Sequence, residues 1–311
     1  MNLGKLFIAA LVVFISVLGP APGHAANKVI AAMMSSDQPR YREAHKALIK
    51  ALSAHGYTSA NTEIILQTPN PDPLSWSNTV RKFNAYRPDL IVAYGASASQ
   101  VAMREAKGIP VVSVDVYTSE QPVRGTCGVS SRVPMVTMLK ILQEIRPYRR
   151  IGVIYNSREI GSVRQLEDLK KSAAQLGMQV VGANAASAAA VDAALTALLD
   201  KIDVIVATEC GIVYRQLERI VARAKARNIP VVSTIPEASE KGALVSLEIS
   251  PQEQGTLAAG VALRILEGAR TEQLSLLTPR RVDLIINMHI AHDMGITIPF
   301  PVLGNATRIV K

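Results

Sequence analysis

Short runs of β-branched and aliphatic residues alternate along this chain with longer segments whose apolar residues recur at helical spacing, and this alternation constrains the fold more than any other feature. Strands are predicted over 29–34, 63–66, 89–93 and 110–116. Between them, helices are predicted over 40–54, 75–86 and 97–107, with Gly56 and Gly95 as breaks. The plan then repeats, with strands over 150–155, 178–182, 204–208 and 231–234 and helices over 162–176, 188–199 and 212–226. Strands that alternate with helices form parallel sheets covered on both faces. The fold class is therefore α/β, with two doubly wound, Rossmann-like lobes. Extended runs at 126–131 and 243–249 follow the fourth strand of each lobe, where crossovers would pass. The expected division is an N-terminal lobe of 26–125 plus 251–277 and a C-terminal lobe of 126–250 plus 278–311.

Residues 1–25 read differently. A basic tip ending in Lys5 precedes an apolar run from Leu6 to Leu18, then Gly19, Pro20 and Pro22, then Gly23-His24-Ala25 with small residues at −3 and −1. That order is a secretory signal peptide, cleaved after about Ala25. The apolar run is shorter than the roughly 20 residues a spanning helix needs. A periplasmic protein is expected.

The net charge of +9 is spread along predicted helices rather than clustered, and export removes the chain from nucleic acid. Cys127 and Cys210, in an oxidising compartment, leave a single disulfide open, and neither has metal-type spacing. His289, His292 and Asp293 are too few for a zinc site and read as a surface helix. The chain lacks Gly-x-Ser-x-Gly, His-Glu-x-x-His and a phosphate loop ending in Gly-Lys-Ser/Thr, so no enzyme and no cofactor is expected.

In doubly wound sheets ligands bind beyond the carboxyl ends of the strands. The loops there span 35–38, 94–99, 117–120, 156–162, 208–212 and 235–240. Gly95-Ala96-Ser97-Ala98-Ser99 opens a helix with small residues, which exposes N–H groups to an anion; a plain Ser N-cap fits the same residues. Glu209 follows an apolar strand and reads either as the partner of a ligand ammonium or as a helix-capping acid. Asp37, Asp115, Glu237 and Glu248 fall near the same loops. Tyr94, Tyr117, Tyr155 and Tyr214 are the nearest aromatics, as wall or core residues, and Trp76 belongs to a lobe-covering helix. With one Trp, eight Tyr and four Phe in the whole chain, a sugar site of stacked rings is disfavoured.

Three stretches carry a family resemblance: Pro88 to Gly95, Arg150 to Ser157 with Ser162-Val163, and Leu284 to Asn287 with Met294 to Pro299. Together with Gly128-Val129-Ser130 and Gly242-Ala243-Leu244 they resemble the ABC-transporter substrate-binding proteins of the TrpX type. The resemblance implies a type I periplasmic binding fold with three interlobe crossovers, a small amino-acid-like solute captured by lobe closure, and an inner-membrane ABC permease as partner. It places ligand-facing loops at Ser36, Ala96 and Ser97, Asn156 and Ser157, Thr208 to Gly211 with Glu209 and Cys210, and Leu247 to Ser250 with Glu248. Where the family usually has Thr-Asp-Asn-Thr, this chain has Thr208-Glu209-Cys210-Gly211, and the aromatic run expected near Leu247 to Gln252 is absent. A monomer is expected. The same closure would also serve a sensor accessory docking on a chemoreceptor or kinase ectodomain.

Overall fold

The apolar runs become buried parallel strands in the computed structural model, which describes residues 27–118 and 126–311. The proposed signal peptide and part of the loop after 117 lie outside the described residues. In the first lobe, β1 (Lys28–Met34), α1 (Pro39–Ala54), β2 (Thr62–Gln67), α2 (Pro73–Tyr86), β3 (Leu90–Tyr94), α3 (Ala96–Glu105), β4 (Val111–Val116) and β5 (Cys127–Ser130) follow in order. The second lobe holds α4 (Met135–Ile145), β6 (Arg150–Tyr155), α5 (Ile160–Gln175), β7 (Gln179–Asn184), α6 (Ala188–Leu198), β8 (Val204–Ala207), α7 (Gly211–Lys225), β9 (Val231–Ser233) and β10 (Val245–Glu248). The chain then returns to the first lobe as α8 (Pro251–Leu266) and β11 (Leu276–Leu277). It ends in the second as β12 (Asp283–Asn287), α9 (Met288–Asp293), α10 (Phe300–Gly304) and β13 (Arg308–Val310).

The first sheet runs β11-β5-β4-β3-β1-β2 and the second β13-β12-β10-β9-β8-β6-β7. The described pairings are parallel except that of β10 with β12. The chain passes between the sheets three times, after β5, β10 and β11, as the resemblance implied. One expected boundary is corrected. Residues 127–130 pair with β4, at Val112↔Cys127 and Ser113↔Gly128, so they belong to the first lobe and the crossover comes after Ser130. Likewise 245–248 is a strand of the second sheet and only its exit is a crossover.

Each sheet buries both faces. Ile30, Leu90, Val92 and Val112 pack under α1 and α8, while Ala31, Ile91 and Ala93 pack under α2 and α3 with Trp76 and Phe83. In the second lobe Ile151, Val153 and Val206 meet Met138 and Leu142 of α4, and Ile154 and Ile205 meet Leu195 and Leu217. Full burial of each valine, leucine, isoleucine, phenylalanine or methionine among them contributes about 1.5–3 kcal/mol. Cys127 and Cys210 are free thiols buried in the cores of different lobes.

Candidate functional site

Arg40 is the second residue of α1, just after Pro39, in a first turn with no acidic residue and with no side-chain cap from Gln38. A cation at the positive end of a helix is locally unfavourable. It is compensated from elsewhere in the fold: Nε lies 3.0 Å from Asp115 Oδ2 and Nη1 lies 3.6 Å from Glu209 Oε2. Nη2 donates to the Tyr41 hydroxyl at 3.1 Å. The three charged side chains are only 5–7% exposed. Arg40 and Asp115 belong to the first lobe and Glu209 to the second, so the cluster straddles the cleft.

Asp115 reaches the cleft through strained backbone. It lies within β4 at φ +57°, where the register between β4 and β5 shifts between Ser113 and Val116. A non-glycine residue in that region costs about 1–3 kcal/mol and persists only where its surroundings hold it. Gln254 of α8 helps to do so, donating from Nε2 to Asp115 Oδ1 at 3.1 Å.

Glu209 follows β8 and is fixed by its own lobe. Its amide donates to Gln165 Oε1 at 2.8 Å, Thr234 Oγ1 donates to its Oε1 at 2.7 Å, and Gln165 Nε2 donates to Thr234 Oγ1 at 2.7 Å. Burial pushes its carboxyl up to about 7, against the opposing pull of Arg40. Arg40 itself stays charged, because Asp115, Tyr41 and Glu209 outweigh its desolvation.

Two helix N-termini meet across the same gap. Gly95, at φ +90°, turns the chain into α3 in a space where a Cβ would stand 2.4 Å from Ser35 Oγ, so only glycine fits. Opposite, near the start of α5, a Cβ on Gly161 would stand 3.4 Å from Ala96 Cβ and 3.6 Å from Tyr117 Cβ. The lobes are thus in close contact, and Tyr117 Oη donates across them to Asp168 Oδ2 at 3.0 Å. The cavity enclosed by Arg40, Asp115, Glu209, Ala96 and Ser97 has a volume of only about 20 Å³. That is room for about one water molecule. It is flanked by a cavity of about 150 Å³ beside Trp76 and Asn156 and another of about 190 Å³ beside Tyr214 and Glu248. This is a closed conformation.

The residues expected from sequence divide accordingly. Ala96, Ser97 and Glu209 line the central cavity, Ser36 and Asn156 the 150 Å³ cavity, and Glu248 the 190 Å³ cavity. Four are placed elsewhere. Tyr94 is fully buried in the first core, its hydroxyl 2.9 Å from His45 Nδ1, because the last side chain of β3 points under α1. Cys210 is packed in the second core at the start of α7, where burial pushes its thiol up to about 12. Ser99 donates back to the Ala93 carbonyl at 3.0 Å. Ser157 is exposed, its amide held by Asn184. Of the run 95–99, Ala96 and Ser97 line the central cavity.

Arg40, Gln165, Thr234, Gln254 and Glu159 were not expected. Glu159 accepts from the Gly211 amide at 3.1 and 3.2 Å and from Asn156 Nδ2 at 3.0 Å, capping α7 from the loop between β6 and α5. Only Arg40 carried a readable signal, since Pro39-Arg40 puts a cation where a first helical turn favours acids. Trp76 is buried and donates its indole N–H to the Ser35 carbonyl at 3.1 Å. Lys225 pairs with Asp293 at 2.6 Å beside exposed His289 and His292, and among the described residues no group of three metal-ligating side chains occurs.

Comparison with known proteins agrees with this architecture. Residues 29–310 match the family described as ABC transporter substrate binding protein. A tyrosine-binding protein of Clostridioides difficile (strain R20291) is 26% identical over 262 residues, 81% of this chain and 76% of that protein. A conserved domain protein of Vibrio cholerae O1 biovar El Tor str. N16961 superposes with a TM-score of 0.85 at 29% identity, over 91% of this chain and 99% of that one. An ABC domain from Streptococcus pneumonia in complex with L-Trp shares the fold, with a TM-score of 0.85 at 22% identity, over 92% of this chain and 100% of that one. Two parallel-sheet lobes, three crossovers, a charged cleft between them and a family match along nearly the whole chain agree: this protein belongs to the ABC transporter substrate-binding protein family, whose members are solute-binding proteins and not enzymes.

Proposed function

We propose that this chain captures a zwitterionic, amino-acid-like solute between its lobes in the periplasm and presents it, as a monomer, to an ABC permease of the inner membrane. One observation supports the reading above the others: opposite charges are buried together at the junction of the lobes. Arg40 Nε and Nη1 and Asp115 Oδ2 are buried, ion-paired and without hydrogen-bond partners. Buried polar groups in that state favour a ligand that completes their hydrogen bonds. A carboxylate accepts from the guanidinium and from the first amides of α3, and an ammonium donates to Asp115 and Glu209.

The lobes must part to admit such a molecule, because the central cavity of about 20 Å³ is smaller than any amino acid. Closure then follows from contacts made to both lobes at once. The names of the two amino-acid-binding relatives support the solute class. The leader read over 1–25 supports the compartment.

A thermal-shift screen tests the reading. The proteinogenic amino acids and their close analogues, offered singly to the purified protein, include at least one that raises its melting temperature by several degrees. A screen in which no amino acid stabilises the protein, while an uncharged or purely anionic solute does, overturns it.

A further inference from the structure

Gln254 lies in the first turn of α8, where the chain has just re-entered the first lobe, and it is only 2% exposed. Its Nε2 donates to two acceptors, Asp115 Oδ1 at 3.1 Å and the Ser130 carbonyl at 3.3 Å. An amide nitrogen carries two hydrogens, one for each. Turned over, the same amide would set its own carbonyl oxygen against a carboxylate and a carbonyl, so the two acceptors fix its orientation. Asp115 is a charged anchor of the cleft, and Ser130 ends β5 where the first crossover leaves for the second lobe.

The same turn reaches the other two crossovers. The second runs directly into it, with Ser250 accepting from the Glu253 amide as N-cap and Pro251 as the first helical residue. Arg280, in the third crossover between β11 and β12, donates its amide to Glu253 Oε1 at 3.0 Å. One residue beyond Gln254, Gly255 lets α8 sit against the backbone of α1, the helix that carries Arg40. The turn 250–254 is thus fixed to α1 and β4 and meets all three connections between the lobes.

We infer that Gln254 is a positioning residue, orienting the Asp115 carboxylate for the solute's ammonium and tying that carboxylate to the interlobe connections. The inference rests on the reading of the cleft as an amino-acid site. Gln254 borders none of the three cleft cavities, so it acts through Asp115. Asp115 stands at φ +57° in a bulge, a conformation that its surroundings must hold. With Oδ1 engaged by Gln254, Oδ2 is left for Arg40 beside the central cavity. Without that bond the carboxylate is free to turn, and a binding group whose support is loose loses affinity. The Ser130 carbonyl is released at the same time, which loosens the start of the first crossover.

Calorimetric titration and hydrogen–deuterium exchange of the wild type and Gln254→Met, which keeps the length of the side chain and removes its donor, test the assignment. The titrant is the proteinogenic amino acid that stabilises the wild type most in the thermal-shift screen. Its Kd rises about fivefold or more in the variant, at a temperature where both proteins are folded. In the unliganded variant the amides of 131–133 exchange about tenfold or more faster than in the wild type, while those of the buried strand Leu90–Tyr94 keep their rate. A purely structural role would speed both segments together. If Gln254→Met does not fold, Gln254→Asn, whose amide is one methylene too short for both acceptors, carries the same expectations. A folded variant that binds within twofold of the wild type, or whose 131–133 amides exchange no faster than in the wild type, overturns the inference. So does exchange that rises equally in 131–133 and in Leu90–Tyr94. Exchange is read without solute, so a failure of the amino-acid reading, in which no proteinogenic amino acid binds the wild type, is seen apart from a failure of the tie to the crossover, and it removes the ammonium half of the inference.

Discussion

At the scale of single residues the cleft is a cluster of buried charges, two of them held where the local backbone does not favour them. Arg40 sits at the wrong end of a helix for a cation and Asp115 in a left-handed conformation within a strand. Breaking a buried pair by removing one partner costs about 3–5 kcal/mol, because the other charge is left uncompensated. Arg40→Ala should therefore lower the unfolding free energy by roughly that amount in urea titrations, whereas the exposed Arg42→Ala, which removes a surface pair with Asp37, should change it by less than about 1 kcal/mol. Glu209 adds a pH dependence of definite sign. Its folded carboxyl holds a proton up to about 7, above the free-carboxyl value of 4.5, so the folded state binds the proton more tightly than the unfolded chain does. Unliganded stability should decline as pH rises from 4.5 toward 7, and Glu209→Gln should flatten that decline. Burial raises Glu159 and Glu248 in the same direction, so the flattening is partial. Urea midpoints measured across that range for both proteins check the sign. An equal slope in wild type and variant would exclude Glu209 as a source.

At the scale of elements, helix α8 shows how the returning chain is stitched to the first lobe. Gly255 lies where α8 crosses α1, and a Cβ there would stand 2.0 Å from the Ala44 carbonyl oxygen. Gly255→Ala should cost about 1–3 kcal/mol or more, read as a lower urea midpoint, since backbone rather than a flexible side chain stands in the way. The strands and most helices were legible from sequence because burial on both faces leaves a continuous apolar record, as in Leu90 to Ala93 and Val204 to Ala207. Two things were not. The run Cys127–Ser130 carries the same apolar signature whether it pairs with β4 or serves as a connection, so its sheet could not be assigned. The direction of a side chain at a strand end or a helix start is also silent, and for that reason Tyr94 and Cys210 looked like cleft residues while belonging to the cores. Glu209 was readable because a carboxylate directly after a buried strand has few other places to go. Asp115 could be placed near the cleft, but the bulge that aims it depends on pairing between β4 and β5, which no local pattern records.

At the scale of the molecule, two separately cored lobes are joined by three short crossovers, and the polar contacts between them are few and specific. The Tyr117 to Asp168 hydrogen bond and the Arg40 to Glu209 ion pair both bridge the cleft. Tyr117→Phe removes a hydrogen bond that ties the segment after β4 to α5 of the second lobe, so it should weaken solute binding by about two- to tenfold, the equivalent of roughly 0.5–1.5 kcal/mol, read by calorimetry. Small-angle scattering should show the radius of gyration falling when solute is added, since solute contacts with both lobes favour the closed state. The central claim is that a zwitterion is held between the lobes by Arg40, Asp115 and Glu209. Calorimetric titration of the stabilising amino acid into wild-type protein and into Glu209→Gln tests it most directly. Binding to the wild type should be one-to-one and should weaken at least about tenfold in the variant, as expected when a charge-assisted hydrogen bond to the ammonium is lost. Equal affinity in the two proteins would contradict it.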